Sequence, residues 1–318
     1  MSISMWEAIA ENKRRSAVLI VTMGLLLAGI AAAIGFGFGG TEEAAGVGAL
    51  CGLAVWGVML LVNLAGGESV LLSSANAREV SHEDAPQLYN IVEEMRIAAA
   101  LPAMPKVYII DTEVPNAFAV GLKPERACVA VTTGLLGRLN RDELQGVLAH
   151  EIGHIRNRDT MFMTLAGVTL GAIVLLADVG MRTLLYGGGN RRRNNNKDGG
   201  LGVVMLVAAL VMAVLAPLAA RVLYFACSRQ REYLADASAA RFTRNPEGLA
   251  NALRKISGMQ NPKSIPSNGA VAPMYIVNPL AAAGSANIFG THPPTAERIR
   301  RLLAMQGMDF SREEAAGA

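Results

Sequence analysis

Four long apolar runs interrupt an otherwise mixed chain. The first covers residues 17–40, directly behind Lys13, Arg14 and Arg15, and the second covers 44–67. Each exceeds the roughly 20 residues that a helix needs to cross a bilayer. A cleaved signal peptide fits the first run poorly, because its apolar stretch is longer than a signal core of about 7–15 residues and a second run follows at once. The pair therefore predicts an N-terminal transmembrane hairpin. The third run covers 161–186 with a break at Asp178, and the fourth covers 201–220. Between them lies the low-complexity loop GGGNRRRNNNKDGG at 187–200.

The segments between the runs carry a different pattern. Leu88, Ile91, Val92 and Met95 recur at helical spacing, which predicts a helix over 81–100 opened by Ser81. Residues 106–111, 116–120 and 127–132 are short and rich in β-formers, with a turn at 121–124. They predict three strands. Asn140 then caps a helix with Asp142 and Glu143 in its first turn, where negative charge suits the helix dipole. After the fourth run come a polar helix over 228–242, a Pro/Gly/Ser-rich stretch through Gly284, and a last helix near 291–303 capped by Thr295. The expected organisation is an N-terminal membrane hairpin (1–67), a first part of a globular domain (68–160), a hydrophobic hairpin (161–223) and a second part (224–318).

Composition sharpens this picture. Only 17% of the 318 residues are charged and 52% are hydrophobic, against about 25% charged in a soluble domain. The net charge of +3 and the 5% of aromatics give no basic, ring-bearing patch, so nucleic acid is excluded as a partner. Cys51, Cys128 and Cys227 are odd in number and widely separated, which fits reduced thiols rather than a disulfide framework. Three basic residues precede the first run, whereas the link to the second holds Glu42 and Glu43 and no Lys or Arg. The positive-inside rule then places the N-terminus and the globular parts in the cytoplasm.

The chemistry lies in VLAHEIGHIRNRDT. His150 and His154, at i and i+4 of one helix, aim two imidazoles at a single point, with Glu151 on the adjacent edge. Zinc takes such imidazoles at about 2.0–2.1 Å, and a neighbouring carboxylate can move the proton of the attacking water. A chance match on a helix surface is the bland alternative. Uncharged flanks (Val147, Leu148, Ile152, Ile155) argue against it, and Gly153 is expected to leave room beside the metal. No third histidine follows at metzincin spacing, which leaves a carboxylate as third ligand. Glu232 and Asp236 in REYLADASAA lie one turn apart on one helical face. They are either an exposed acidic face paired with Arg229 or Arg231, or a ligand plus a carboxylate that holds a ligating imidazole. Beside HExxH the second reading is favoured.

Two N-terminal spans, PNAFAVG, AVTTGLL, VLAHEIGHI, a hydrophobic hairpin, REYLADASAA and THPPTAERI occur in this order along nearly the whole chain. In this the sequence resembles the HtpX family of membrane zinc endopeptidases, related more distantly to the CAAX prenyl endoprotease. The resemblance implies one Zn2+ per chain on His150, His154 and Glu232, with Glu151 as catalytic base. It implies an α+β, mostly helical integral membrane protein with a zincin-like, gluzincin-type catalytic domain, a small β-sheet and an inserted hydrophobic hairpin. It also implies a multi-pass protein of a bacterial-type inner membrane that degrades damaged or misassembled membrane proteins under stress. The basic loop at 187–200 is longer than the family pattern.

Other residues carry weaker signals. Asn116, Ala117 and Phe118 begin a strand upstream of the metal helix, where an edge strand can hold an extended substrate through its backbone. Asn116 adds a side-chain hydrogen bond to substrate by the resemblance, or is a turn residue after Pro115. His292 and Arg298 are candidates for stabilising a developing oxyanion, against a purely structural helix start. His82 reads as surface, and Asp178 either leaves the membrane or pairs with Arg182. If the third and fourth runs cross the bilayer, Arg191, Arg192, Arg193 and Lys197 end up outside, against the charge trend. Crossing is still expected, since both metal-bearing segments must lie on one side. The expected partners are polypeptide substrates, membrane proteins among them, and the lipid bilayer; no signal bears on oligomeric state. Two other functions fit the same residues: a narrow processing protease of the prenyl-peptide kind, and a non-catalytic scaffold or holdase that keeps zinc for folding.

Overall fold

The computed structural model describes residues 40–165, 229–257 and 293–306, together with scattered helical positions between 14 and 36. His292, Asp178, the loop at 187–200, the fourth run and the third run beyond Leu165 lie outside the described residues. Helix α1 (Glu42–Ser74) contains the second apolar run, and Thr41 caps it by accepting the N–H of Ala44. It is long and apolar enough to cross a membrane. Val47, Leu50, Val58, Leu61 and Leu64 stand exposed along it. The helical positions before it press closely against it: a Cβ placed on Gly48 would lie 2.1 Å from the Ala31 carbonyl oxygen. Small residues permit such close approach between apolar helices.

The helix does not stop at Gly67. Gly66 departs from helical angles (φ 177°, ψ 44°) and kinks it, and the last turns reach Ser74 with Leu71 and Leu72 buried. Beyond it come β1 (Ala77–Glu79), α2 (Pro86–Ala98), β2 (Lys106–Ile110), β3 (Ala117–Val120) and β4 (Cys128–Thr132). Helix α2 begins five residues later than its periodicity suggests. Ser81 instead closes a turn with Asp84, whose carboxylate accepts the Ser81 N–H at 2.8 Å, and Pro86 opens the helix. Proline suits a first helical position because its missing N–H would be unpaired there.

The sheet runs in the order β1-β2-β4-β3, with β2 and β4 parallel and the outer pairs antiparallel, so β3 is an edge strand. Both faces are covered. Val107, Ala117, Ala119, Val129 and Val131 enter the main core, whereas Ile110, Phe118, Val120, Cys128 and Ala130 pack with Leu71, Leu72 and Met163 in a second cluster. The period-two alternation of strand side chains therefore separates two cores. Burial on both faces also explains why β3 and β4 read as continuous apolar runs.

Against the main-core face lie α3 (Thr133–Leu136), α4 (Arg141–Arg156), α5 (Arg229–Thr243), α6 (Pro246–Ser257) and α7 (Thr295–Ala304). Asn140 forms a capping box with Glu143, and Lys255 of α6 donates to the same Glu143 carboxylate at 2.7 Å. Helix α6 was not expected; its Leu249, Leu253 and Ile256 are buried. Thr295 is the first residue of α7, and Pro294 occupies the cap position without a side-chain bond. Helices α4 and α6 meet through glycine, since a Cβ on Gly146 would lie 2.5 Å from the Leu249 amide nitrogen. The substitution Gly146→Ala is expected to force these helices apart and lower stability by about 1–3 kcal/mol. Denaturant unfolding of the purified protein measures this, and an unchanged midpoint would contradict the tight crossing.

Candidate metal centre

Helix α4 presents His150, Glu151 and His154 to the interior, all at least 96% buried. Opposite stands α5, with Glu232 and Asp236 equally buried. The close approach of the two helices depends on Gly153, but not in the way the sequence suggests. A Cβ at Gly153 would meet the Ser238 Cβ at 3.2 Å and the Ala235 carbonyl oxygen at 3.3 Å. The space beside Gly153 is therefore filled by α5 rather than left for a metal.

One ligand atom each from His150, His154 and Glu232 lies within 4.8 Å of the others. The two Nε2 atoms are 3.2 Å apart. Glu232 Oε1 is 3.6 Å from His154 Nε2, and Glu232 Oε2 is 3.7 Å from His150 Nε2. Two ligands at about 2.0–2.1 Å on a tetrahedral ion lie about 3.3 Å apart, so the spacing fits a zinc-sized cation. The far side of each ring fits as well. His150 Nδ1 faces Asp236 Oδ1 at 3.0 Å, and His154 Nδ1 faces Asp159 Oδ2 at 3.0 Å. A carboxylate on Nδ1 holds the proton there and turns the Nε2 lone pair toward the ion.

Arg298 of α7 completes the cluster. Its Nε and Nη2 donate to the two oxygens of Asp236 at 2.9 and 2.7 Å, and Nη1 lies 3.4 Å from Glu232 Oε2. Its guanidinium is fully buried. The charges around the two histidines differ, and so do their protonation equilibria. Burial, and then the Arg298 charge, push the His150 imidazolium down to about 4. Burial opposes the charge on His154 too, but Asp159, Glu232 and Glu151 outweigh it and raise the group to about 9. Burial lifts the Glu151 carboxyl to about 7, against the charges of His154 and Arg298 and a hydrogen bond from the Ala119 backbone N–H. Asp236 resists burial because Arg298 and His150 hold it down to about 2.

The fold thus gathers His150, Glu151, His154, Glu232, Asp236 and Arg298 in one place. The exposed acidic face weighed for Glu232 and Asp236 does not form. Asn116 is buried, with Oδ1 accepting the Ala117 N–H at 3.1 Å while its own N–H reaches Thr132 Oγ1 at 2.8 Å. Phe118 turns its ring into the second core, so only its backbone lies on the strand's bonding edges. His82 is exposed and bonds Asn90. Asp159 is the residue that sequence reasoning missed. It sits in the polar tail of the motif, among Arg156, Asn157 and Arg158, where only its position five residues after His154 hinted at a role.

The model of peptidase family M48 matches residues 82–306. The chain is 46% identical over 305 residues to a "Protease HtpX homolog" of Ligilactobacillus salivarius, covering 95% of this chain and 100% of the relative. A "Protease HtpX homolog" of Streptococcus gordonii is 42% identical over 301 residues, and one of Streptococcus agalactiae 44%, each at 95% and 100% coverage. Among solved structures, Ste24p of S. mikatae matches with a TM-score of 0.46 and 16% identity, over 95% of this chain and 66% of that one. The chain belongs to peptidase family M48.

Two outcomes follow from the Asp159 contact. A divalent metal must displace the proton that His154 carries below about 9, so binding at pH 8 is expected to release about one proton, and less as pH rises past that value. Calorimetry in buffers of different ionisation enthalpy reads this number directly. Replacing Asp159 by Asn removes the partner of His154 Nδ1, and is expected to weaken metal binding about 10–100-fold and to reduce proton release. Competition with a chromogenic chelator gives the affinity; wild-type affinity would deny Asp159 any part in the site.

Proposed function

We propose that this membrane metalloprotease of peptidase family M48 is a zinc endopeptidase that cuts membrane proteins from the cytoplasmic side. The observation that carries the reading is the trio His150, His154 and Glu232, each imidazole backed by its own carboxylate, with Glu151 buried next to the edge strand. Zinc in such a site supplies Lewis acidity to the attacking water and to the scissile carbonyl. His150, His154 and Glu232 hold it, and Asp236 and Asp159 keep both rings in the ligating tautomer. Glu151 takes one proton from the water as it attacks, then delivers that proton to the departing nitrogen, so acid and base work fall to one carboxylate. Arg298 holds Asp236 and Glu232 in place. Its bidentate pairing with Asp236 favours this role over direct stabilisation of an oxyanion.

The cytoplasmic orientation is supported by Lys13, Arg14 and Arg15 ahead of the first apolar run and by the acidic link after it. Helices α4 and α5 hold one site, so the runs between them enter and leave the membrane on the same face. In this reading they cross as a pair, and substrates are damaged or misassembled membrane proteins. A topology reporter at Asn195 is expected to read non-cytoplasmic; a cytoplasmic signal there rules out the crossing pair.

The mechanism is tested at Glu151. Replacing it by Gln is expected to cut kcat for a peptide substrate about 10²–10⁴-fold while zinc content stays at one per chain. Glu232→Ala is expected to lose both metal and activity. Normal turnover by the Glu151→Gln protein would sink the proposed role of the base.

A further inference from the structure

The edge strand that lies along the metal centre ends in a turn fastened to the apolar helix α1. Between Glu43 and Glu68 no charged residue occurs, and α1 exposes large apolar side chains from Val47 to Leu64, with Val70 exposed again beyond the Gly66 kink. The charge-free stretch closes at Glu68 and the helix kinks at Gly66, which puts the hydrocarbon edge near Ala65 in this reading. At that level Arg126 donates to the carbonyls of Leu64 and Ala65 at 3.2 and 3.0 Å and pairs with buried Glu68. Arg126 closes the turn that follows β3. The first residue of the same turn, Gly121, donates its N–H to Thr164 at 2.9 Å. Thr164 is fully buried in the helical segment 159–165, which leads into the third apolar run. The turn is thus pinned to α1 and to the start of the third apolar run, the two segments that enter the bilayer in the reading above. Phe118 and Val120 are packed against Leu71, Leu72 and Met163 of those same segments.

The catalytic end of this ruler is short. The Glu151 carboxylate meets the backbone N–H of Ala119, two residues before Gly121. Two strand residues cover about 7 Å, and the Arg126 side chain reaching from the turn to Leu64 and Ala65 extends the span from the reacting centre to about 10–15 Å. The headgroup layer adds about 5–8 Å on each side of a bilayer, so the centre lies just beyond it.

We infer that the enzyme cuts at a set distance from the membrane, in the extended segment that flanks a spanning helix. The position is about three to five residues from the hydrocarbon edge. The inference rests on the zinc endopeptidase reading above and adds to it a substrate geometry. A soluble unfolded chain meets the same edge strand without this register. A tethered one is delivered along it, at the effective concentration that membrane anchoring supplies.

The test uses full-length, zinc-loaded protein co-reconstituted in vesicles with a single-span substrate. The span is followed by a flexible tail of about forty residues carrying one susceptible sequence in tandem repeats. Mass spectrometry maps the cuts, and the same repeat peptide without the span is the soluble control. Cleavage in the repeat nearest the membrane is expected to exceed that in the farthest repeat tenfold or more. Arg126→Ala is expected to spread the cuts along the tail without changing turnover of the soluble peptide. Glu68→Gln repeats the comparison should the first variant fold poorly. Even cutting along the tail, or soluble peptide cut as fast as the tethered one, overturns the inference and leaves the protease reading intact. No cutting of either substrate overturns the protease reading and this inference with it.

Discussion

Everything in this fold is arranged around one buried cluster of charge. His150, His154, Glu232, Asp236, Asp159 and Arg298 are each at least 96% withdrawn from solvent and come from four separate helical segments. An ionised group in a protein interior costs several kcal/mol unless its partner is present. The cluster is therefore stable only when complete, and each helix is held by what the others bring. Helix α7 shows this best. It carries Arg298, 62 residues after Asp236, and its guanidinium joins the two oxygens of that carboxylate. Without α7, Asp236 would be a buried carboxylate shared by one imidazole alone, and the tautomer of His150 would be less firmly set.

The sheet then explains how a buried charge cluster can sit next to the end of a helix long and apolar enough to cross a membrane. Alternate residues of β3 and β4 face opposite cores, one shared with α4 and the other with the end of α1 and the start of the third apolar run. One strand thus touches chemistry on one face and, on the other, the end of α1 and the start of the third apolar run. The kink at Gly66 lets α1 change direction, and Arg126 donates to Leu64 and Ala65, the two carbonyls just before the break. A guanidinium bonded there, with Glu68 beside it, ties the turn after β3 to the helix where its charge-free stretch ends.

How much of this was legible in the sequence depends on the range of the interaction. Local signals read well: the i, i+4 histidines, the Asn140–Glu143 cap and the β-rich runs of β2, β3 and β4 all follow from neighbours in the chain. Glu232 and Asp236 were legible because a helix places them one turn apart. What failed depended on tertiary partners. Strand β1 is three residues, Ala77–Glu79, with no apolar alternation, and it exists because β2 offers it an edge. Helix α6 was hidden by Pro246 and Gly248, which read as breakers. In the fold Pro246 opens the helix, and Gly248 lets it approach Asp142 on α4. Gly153 likewise serves helix packing, and Asp159 acquires meaning only when its chain turns back beneath His154.

The same cluster bears on why a metal suits the site. Three buried carboxylates, Asp159, Glu232 and Asp236, face one guanidinium, which leaves a deficit of two positive charges beside the Glu151 carboxyl that burial lifts to about 7. A single proton on His154 answers one of them, and the 3.2 Å between the two Nε2 atoms is then a shared hydrogen bond. A dication in the same gap answers two, and it satisfies both lone pairs and Glu232 at once. The two histidines are prepared for this exchange by different neighbours. Arg298 beside His150 keeps that ring neutral, whereas the carboxylates around His154 draw a proton that the metal can replace. The rings stay in place through the exchange because Asp236 and Asp159 grip Nδ1, on the side away from the event. Ligand geometry is therefore set by contacts that do not change when the cation does, which is what preorganisation of a metal site requires.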